Sequence, residues 1–358
     1  PLPEQIAALI LRETPAIAAL PAPPQAAACP VASVPPRAEP PGRVVTLAGP
    51  MDGVSVDARV DGPGAKARFA NPGAISYDAA ANVAYVADTE SPALRRLRFD
   101  VAGGVMVDTL RSGVGVYEAL LVVGTKLYAS EPLEHRVVRF SLPDGAGPEV
   151  VTSSLGGPAG LALDPNGDLL VADYVAHKVL RVPLQGAGFT PLPFYGNGIA
   201  GEVDAAIATD ARIDNPHGMV MAPDGKLYVV SFSQGQLHVV DTKSGRTSYL
   251  TGGKPPSEHP DGFWANANID VPRAMAYDPG GRLILADGVS RLRAVSLHGD
   301  VQTLVGTLGP DLHPLKGFVD GPADQARLGF INGLAVRPDG SVLFVDGSNN
   351  AVRAWLPR

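Results

Sequence analysis

Four polar residues stand at one position of a segment that the sequence repeats. They are Glu118, His217, Arg273 and Asn332, and each is followed by alanine or glycine at the start of an apolar run. A carboxylate or an imidazole can act as a general base, and a guanidinium group can stabilise a developing negative charge. The candidate catalytic residues are therefore Glu118 or His217 as the base and Arg273 as the electrostatic stabiliser.

The same residues also fit functions without catalysis. Arg273 and His217 could receive a small carboxylate or another anion. Glu118 and Arg273 could instead neutralise each other, since an unpaired buried charge is strongly unfavourable. The stretch of chain that precedes the first strand of each copy is here called its lead-in segment. Tyr174 joins the set because it lies in a copy whose lead-in segment is short, so the site should be open to solvent there. The candidate ligand-binding residues are Glu118, Tyr174, His217, Arg273 and Asn332.

The elements that would position these residues are six copies of a two-strand pattern. One copy reads "NPGAISYDAAANVAYVADTE" (71–90) and another reads "GPAGLALDPNGDLLVADY" (157–174). In each copy two apolar strands are joined by a turn and followed by a third strand that mixes basic and apolar residues. A fourth β-like segment follows most copies. The residues that close the six second strands are Asp88, Glu131, Asp173, Ser231, Asp287 and Asp346.

Four strands per unit, at a period of roughly 40–60 residues, predict an all-β, six-bladed β-propeller with four-stranded antiparallel blades. The first strand of each blade then lines a central channel. Glu118 and Arg273, three blades apart, would face each other across it. The last copy lacks a fourth strand, and "GRVVTLAG" (42–49) matches "GDVQTLVG" (299–306). We therefore expect residues 43–48 to close the last blade as its outer strand.

Repetition distinguishes acidic residues with a structural role from acidic residues that could take part in catalysis. An acid closes almost every second strand, and another recurs in the long lead-in segments before blades one, four, five and six. A residue that recurs in most blades is better suited to anchoring a turn by accepting backbone N–H groups than to catalysis. The lead-in acids are Asp61, Asp204, Asp261 and Asp320. Blades two and three have short lead-in segments, so the channel mouth should be open above them.

The pattern Pro-x-Gly-Leu-Ala-x-Asp, followed by Tyr-Val-Ala-Asp and a basic-apolar strand, resembles the NHL-repeat family of six-bladed propellers over about residues 43–358. Propellers of this architecture include binding scaffolds, lyases and lactonases. "INGLAVRPDG" (331–340) is also similar to gluconolactonase-type propellers, whose motif asparagine binds a divalent metal. That resemblance implies that Asn332 and Glu118 could hold Ca²⁺, which prefers oxygen ligands. Because Arg273 would enter the same mouth and repel a cation, we expect no bound metal or other cofactor.

Composition limits the partners and the location. The chain has 358 residues, a net charge of −7 and one cysteine. Negative charge without a basic stripe argues against a nucleic-acid partner, and no apolar run is long enough for a transmembrane helix. Residues 1–42 are rich in proline and alanine and predict an N-terminal extension or linker that lies on the propeller (43–358) or on another chain. We expect an exported bacterial protein, periplasmic or secreted.

These observations predict a non-catalytic binding or assembly module. It would dock a protein partner or a small ligand, including a small anion, on the channel-mouth face. The extension over residues 1–42 could contact that partner. The alternative is a lyase or a lactone hydrolase with its active site at the channel mouth.

Overall fold

The chain forms a ring of six antiparallel sheets, which confirms the predicted propeller. The fold is described from a computed structural model, which describes residues 42–51, 59–185, 189–253, 261–263, 266–288, 290–306, 308–309 and 314–357. The predicted extension over residues 1–42 lies outside the described residues, except for Gly42. In the described part of the chain no helix is long and apolar enough to cross a membrane.

Each sheet is one blade, numbered in chain order around the ring. The first described strand is β1 (Arg43–Ala48), which belongs to blade six. Blade one contains β2 (Gly62–Pro63), β3 (Pro72–Asp78), β4 (Val83–Asp88), β5 (Ala93–Phe99) and β6 (Val105–Ser112). Blade two contains β7 (Ala119–Val123), β8 (Lys126–Glu131), β9 (Arg136–Ser141) and β10 (Ala146–Thr152). Blade three contains β11 (Pro158–Leu163), β12 (Leu169–Asp173), β13 (Lys178–Val182) and β14 (Leu192–Tyr195).

The second half of the ring follows the same order. Blade four contains β15 (Pro216–Met221), β16 (Lys226–Ser231), β17 (Gln236–Asp241) and β18 (Thr247–Gly252). Blade five contains β19 (Gly262–Phe263), β20 (Ala274–Tyr277), β21 (Arg282–Asp287), β22 (Arg291–Ser296) and β23 (Asp300–Val305). Blade six contains β24 (Gly321–Pro322), β25 (Ile331–Val336), β26 (Val342–Asp346), β27 (Ala351–Leu356) and β1. Short 3-10 turns occupy Gly64–Lys66, Pro132–Glu134, Ala208–Asp210 and Gly347–Asn349.

The N-terminal strand closes the ring, as the sequence predicts. β1 pairs antiparallel with β27, with Val44 opposite Trp355 and Val45 opposite Ala354. The first strands of neighbouring blades contact one another around the channel, in the order β3, β7, β11, β15, β20 and β25. Strand β25 in turn contacts β3. Closure leaves blade six with a complete sheet and removes an edge that could pair with another chain.

Blades one, five and six have a fifth strand, whereas the sequence predicted four. A two-residue strand from the lead-in segment pairs with the outer strand in each of them: β2 with β6, β19 with β23, and β24 with β1. The lead-in acid explains this position. Asp320, for example, accepts hydrogen bonds from the backbone nitrogen and the hydroxyl of Thr46 on β1. These bonds hold the lead-in segment against the outer edge of the sheet.

The core consists of six apolar clusters, one between each pair of neighbouring blades. Between blades five and six, for example, Ile284 packs with Phe344 and Trp355. Both faces of each blade are apolar, so only stacking in a ring removes both faces from water. Near the channel the backbones approach closely: a Cβ atom on Gly160 would clash with the carbonyl oxygen of His217.

Candidate functional site

The first strands bring the predicted polar residues together at one end of the channel. Glu118, His217, Arg273 and Asn332 all line the channel there. Each residue stands at or just before the start of a first strand, so the ring carries all of them to the same end. The convergence predicted from the repeats is therefore present in the structure.

Glu118 and Arg273 form an ion pair across the channel. Arg273 Nη1 donates to Glu118 Oε1 over 2.8 Å, and each side chain is 30% exposed. The contact was predicted from the opposed blades, but the pair is less buried than expected and stays in contact with solvent. The guanidinium group also packs over the rings of Phe232 and Phe330, each with its centre 5.3 Å away. These two ring contacts help to hold the guanidinium group at the mouth.

His217 lines the channel mouth with only a small part of its surface, because the side chain is mostly buried. Its ring stacks on Phe232, with centres 4.6 Å apart, and contacts Tyr174 on the other side at 5.1 Å. Its Nδ1 lies 3.2 Å from the carbonyl oxygen of Asn215. Burial lowers the pKa of His217 below its ordinary value of 6.5; the Asn215 carbonyl and Glu118 oppose this shift, and Arg273 adds to it. The imidazole is therefore neutral at pH 7 and is held between two rings.

The remaining predicted mouth residue, Asn332, ties two blades together. Its amide nitrogen donates to the carbonyl oxygen of Pro72 over 2.9 Å and to Asn71 Oδ1 over 3.3 Å. The calcium alternative required Asn332 with Glu118, yet the Glu118 carboxylate is held by a cation. Among the described residues no group of three or more histidine, cysteine, aspartate or glutamate side chains could hold a metal ion. The residues at the mouth therefore do not fit a calcium ion.

An open cavity of about 610 Å³, here called the basin, adjoins the ion pair. It lies over blades six, one and two, whereas the sequence predicted an opening over blades two and three. The lead-in segments of blades one and six follow the outer strands, so they leave the mouth uncovered on that side. Tyr174 does not line the basin and packs on His217 instead. The polar lining residues are Asn71, Thr89, Glu90, Glu118, Arg273, Asn332, Ser348 and Asn350.

The closing acids anchor turns, as predicted. Asp173 accepts from the backbone nitrogens of Gly156 and Gly157 over 2.7 and 2.8 Å. Asp346 accepts from the backbone nitrogen of Gly329 over 3.1 Å. Burial raises the pKa of Asp346 although Arg353 opposes the shift. These carboxylates are buried inside the blades and do not reach the mouth.

Buried arginines pair with these acids and were not predicted from the sequence. Arg95, Arg293 and Arg353 are fully buried, and each contacts both the closing aspartate and the lead-in aspartate of its blade. In blade six, Arg353 lies 2.9 Å from Asp346 and 2.7 Å from Asp320. The signal was present, because the third strands of blades one, five and six carry an arginine at one shared position.

Comparison with known proteins supports the repeat and the fold. The family model for the NHL repeat matches residues 155–181, which confirms the predicted repeat. The protein SUPPRESSOR OF QUENCHING 1, chloroplastic, from Arabidopsis thaliana is 26% identical over 306 residues, which cover 75% of this chain. This chain spans only 28% of the length of that relative.

Solved structures show the same architecture at low identity. An auxiliary nutrient binding protein from Bacteroides thetaiotaomicron VPI-5482 is 18% identical, with a TM-score of 0.70 over 88% of this chain and 76% of that chain. A gluconolactonase from Xanthomonas campestris is 14% identical, with a TM-score of 0.57 over 89% of this chain and 95% of that chain. At these identities the likeness establishes the propeller fold alone.

Proposed function

We propose that this propeller is a binding module that holds its ligand in the basin at the channel mouth. The observation that supports this most is the state of the mouth charges. Glu118 and Arg273 already neutralise each other, and both line an open, polar cavity. A concave site with several fixed hydrogen-bonding groups suits ligand recognition.

The candidate bases are poorly placed for catalysis. His217 is 7% exposed and packs against the rings of Tyr174 and Phe232, so little of the imidazole is presented to a substrate. Glu118 accepts a hydrogen bond from Arg273, so one of its carboxylate oxygens is already occupied. The lyase or lactone hydrolase alternative needs a base with a free path to substrate.

The lining of the basin favours a neutral, hydrogen-bonding ligand over an anion. Amide and hydroxyl groups dominate the lining, and Glu90 adds a carboxylate. The guanidinium group that would attract an anion is paired with Glu118. The ring of Phe330 gives one wall an apolar surface. A small polar molecule or a peptide segment of a partner protein matches this combination.

The comparisons are compatible with a binding role. One structural neighbour is named as a nutrient binding protein, and the curated relative is several times longer than the stretch it shares with this chain. A propeller of this kind could serve as the docking part of a larger assembly. Export from a bacterial cytoplasm belongs to the same proposal, and fractionation of the producing cells with an antibody to this chain would test it.

Calorimetric titration of the full chain tests the binding function. Monosaccharides, free amino acids and short peptides would be titrated separately, and each compound would be examined by NMR after incubation. We expect saturable one-to-one binding of at least one class, with the compound recovered unchanged. Removing a charged acceptor with Glu90→Gln should weaken that binding about tenfold. The matched variant Glu149→Gln, on the outer strand of blade two, should leave it unchanged.

Two results would contradict the proposal. The first is a compound that is consumed at a rate abolished by Glu118→Gln or His217→Asn, which would establish an enzyme at the mouth. The second is binding that both Glu90→Gln and Asn332→Ala leave unchanged, which would place the ligand outside the basin.

A further inference from the structure

Blade four lacks an arginine that three other blades bury. Arg95, Arg293 and Arg353 lie in the third strands of blades one, five and six, and each side chain is 0% exposed. Each guanidinium group lies between a closing aspartate and a lead-in aspartate. These three blades therefore contain a guanidinium site that is filled by a residue of the chain itself.

Strand pairing places His238 at the same position in blade four. Arg95 lies opposite Val86, which stands two residues before the end of the second strand of blade one. His238 lies opposite Val229, which stands two residues before the end of the second strand of blade four. The two positions are therefore equivalent, and the shorter histidine replaces the arginine.

The lead-in aspartate of blade four, Asp204, makes the same backbone hydrogen bond as its counterpart in blade one. Asp61 accepts a hydrogen bond from the backbone nitrogen of Thr109 over 3.0 Å, and Asp204 accepts one from that of Tyr249 over 2.9 Å. Asp61 also pairs with Arg95 at 2.9 Å. Within the described ranges of the chain, no arginine or lysine side chain pairs with Asp204. Blade four therefore has the acceptor Asp204 but not the arginine that pairs with the equivalent aspartate in blade one.

A cavity of about 340 Å³ is lined by Asp204 and His238, which stand at the positions of Asp61 and Arg95 in blade one. The closing residue of blade four is Ser231, and a second carboxylate comes instead from Glu202 in the lead-in segment. Glu202 Oε1 accepts a hydrogen bond from the Ser231 hydroxyl over 2.6 Å. The residues lining this blade-four cavity are Glu202, Asp204, Gln236, His238, Tyr249, Gly252 and Gly253.

One buried polar atom in the cavity wall points to a ligand. His238 is 2% exposed, and its Nε2 lies 2.6 Å from Glu202 Oε2. Although this contact is short, the two atoms form no hydrogen bond, and an imidazole nitrogen without a proton is an acceptor. Nδ1 is buried and has no hydrogen-bond partner among the described residues. A buried acceptor without a donor is unfavourable, and a bound N–H group would satisfy it.

We propose that the blade-four cavity binds a guanidinium group from outside the chain. Glu202 and Asp204 supply negative charge, and His238 supplies a buried ring nitrogen that can accept a hydrogen bond. A guanidinium ion carries its N–H donors in one plane, which suits several acceptors around a flat space. The same group occurs in free guanidino compounds and in the arginine side chains of proteins. The site is separate from the basin, so it can be tested independently of the binding function proposed there.

An NMR titration of the full chain tests the proposal. The protein would be labelled with ¹⁵N in its histidine rings, and the His238 signals would be assigned by their loss in His238→Gln. Methylguanidinium chloride is the probe, and tetramethylammonium chloride is the control for ionic strength. We expect the Nδ1 signal of His238 to move and saturate with methylguanidinium alone. A movement that does not saturate, or that tetramethylammonium reproduces, would overturn the proposal.

Matched variants locate the site. Loss of one charged acceptor in Asp204→Asn should weaken methylguanidinium binding by roughly tenfold. Asp224→Asn, in an exposed turn of the same blade, should leave binding unchanged. Ser231→Asp combined with His238→Arg rebuilds the pattern of blades one, five and six and should abolish binding measured by calorimetry. If Asp204→Asn binds as tightly as the wild type, the proposal is wrong whether or not the double variant folds.

Two further probes distinguish the source of the group. Agmatine represents a free guanidino compound, and N-acetyl-L-argininamide represents arginine within a peptide. Comparable affinity for both would support the arginine side chain of a partner protein. A preference of about tenfold for agmatine would support a small guanidino compound, because a peptide backbone would then be excluded by the cavity walls. If neither binds while methylguanidinium does not saturate, no guanidinium site exists in blade four.

Discussion

Arg273 donates to Glu118 across the channel over 2.8 Å, although 155 residues separate them in sequence. Glu118 precedes the first strand of blade two, and Arg273 precedes the first strand of blade five, directly across the ring. The ion pair therefore connects opposite sides of the propeller at its mouth. It also cancels the two charges that would otherwise dominate this end of the channel.

A double-mutant cycle should measure this contact. Glu118→Gln and Arg273→Met should each destabilise the protein, and the double variant should recover part of the loss. Because each side chain is 30% exposed, water weakens the attraction. We expect a coupling energy of about 1 kcal/mol from urea unfolding. A coupling near zero would mean that solvent screens the pair completely, and the charges could then respond to a ligand.

The sequence was sufficient to predict which mouth residues meet. Register within the repeats assigns Glu118 and Arg273 to the same position of different blades, and the ring then determines their separation. Burial of His217 could not be predicted in this way. It depends on Tyr174 and Phe232, which follow the second strands of two neighbouring blades and meet the imidazole only after the blades stack.

The position of the basin was predicted incorrectly for a related reason. Loop length indicates how much chain precedes a blade, but it does not indicate which edge of the sheet that chain follows. Asp61 and Asp320 direct their segments to the outer strands through hydrogen bonds with threonines. The third-strand arginines were missed because they were treated as ordinary basic residues of a mixed strand. Their role follows only from the two aspartates that surround them.

Removing a fully buried arginine should be far more damaging than removing one whose acidic partner is open to solvent. Arg353→Met would leave Asp346 buried without its cation, and both side chains are 0% exposed. Breaking such a pair by removing one partner costs about 3–5 kcal/mol. Arg139→Met is the matched control, because Arg139 pairs on the surface with Glu149, whose side chain is 56% exposed. Urea unfolding should show a large loss for Arg353→Met and a small one for Arg139→Met.

Equal losses in those two variants would mean that the carboxylate takes up a proton when its arginine is removed. Burial already raises the pKa of Asp346, so such a response is chemically possible. A third variant separates the cases: Arg353→Met with Asp346→Asn should be more stable than Arg353→Met alone if the stranded charge is the cause.

Ring closure predicts a sharp boundary in N-terminal deletions. Removing residues 1–48 takes away β1 and exposes the edge of β27, which pairs with it through residues such as Val44 and Trp355. Exposed edges invite pairing with other chains. We expect this variant to aggregate in size-exclusion chromatography. Removing residues 1–40 retains β1 and should leave a monodisperse protein, and similar behaviour of the two deletions would contradict closure by this strand.

His217 should make stability fall in mild acid. Folding lowers its pKa, chiefly through burial, from the ordinary value of 6.5, so below about pH 6.5 the unfolded chain binds a proton that the folded chain does not. The contribution of His217 is therefore complete above that pH and is lost as the pH falls toward the folded pKa. Between about pH 7 and pH 5.5 the loss is limited to about 1 kcal/mol, the amount reached when the folded imidazole takes up no proton.

The comparison that isolates this residue is His217→Asn, whose amide nitrogen can still donate to the Asn215 carbonyl. Unfolding in urea at both pH values should show a smaller pH-dependent loss in the variant than in the wild type. Every other titrating group is shared, including the buried aspartates and the Glu118 and Arg273 side chains near the ring, so their effects cancel to first order in the difference. An identical pH dependence in the two proteins would mean that His217 binds a proton in the folded state, which would make it an accessible base at the channel mouth.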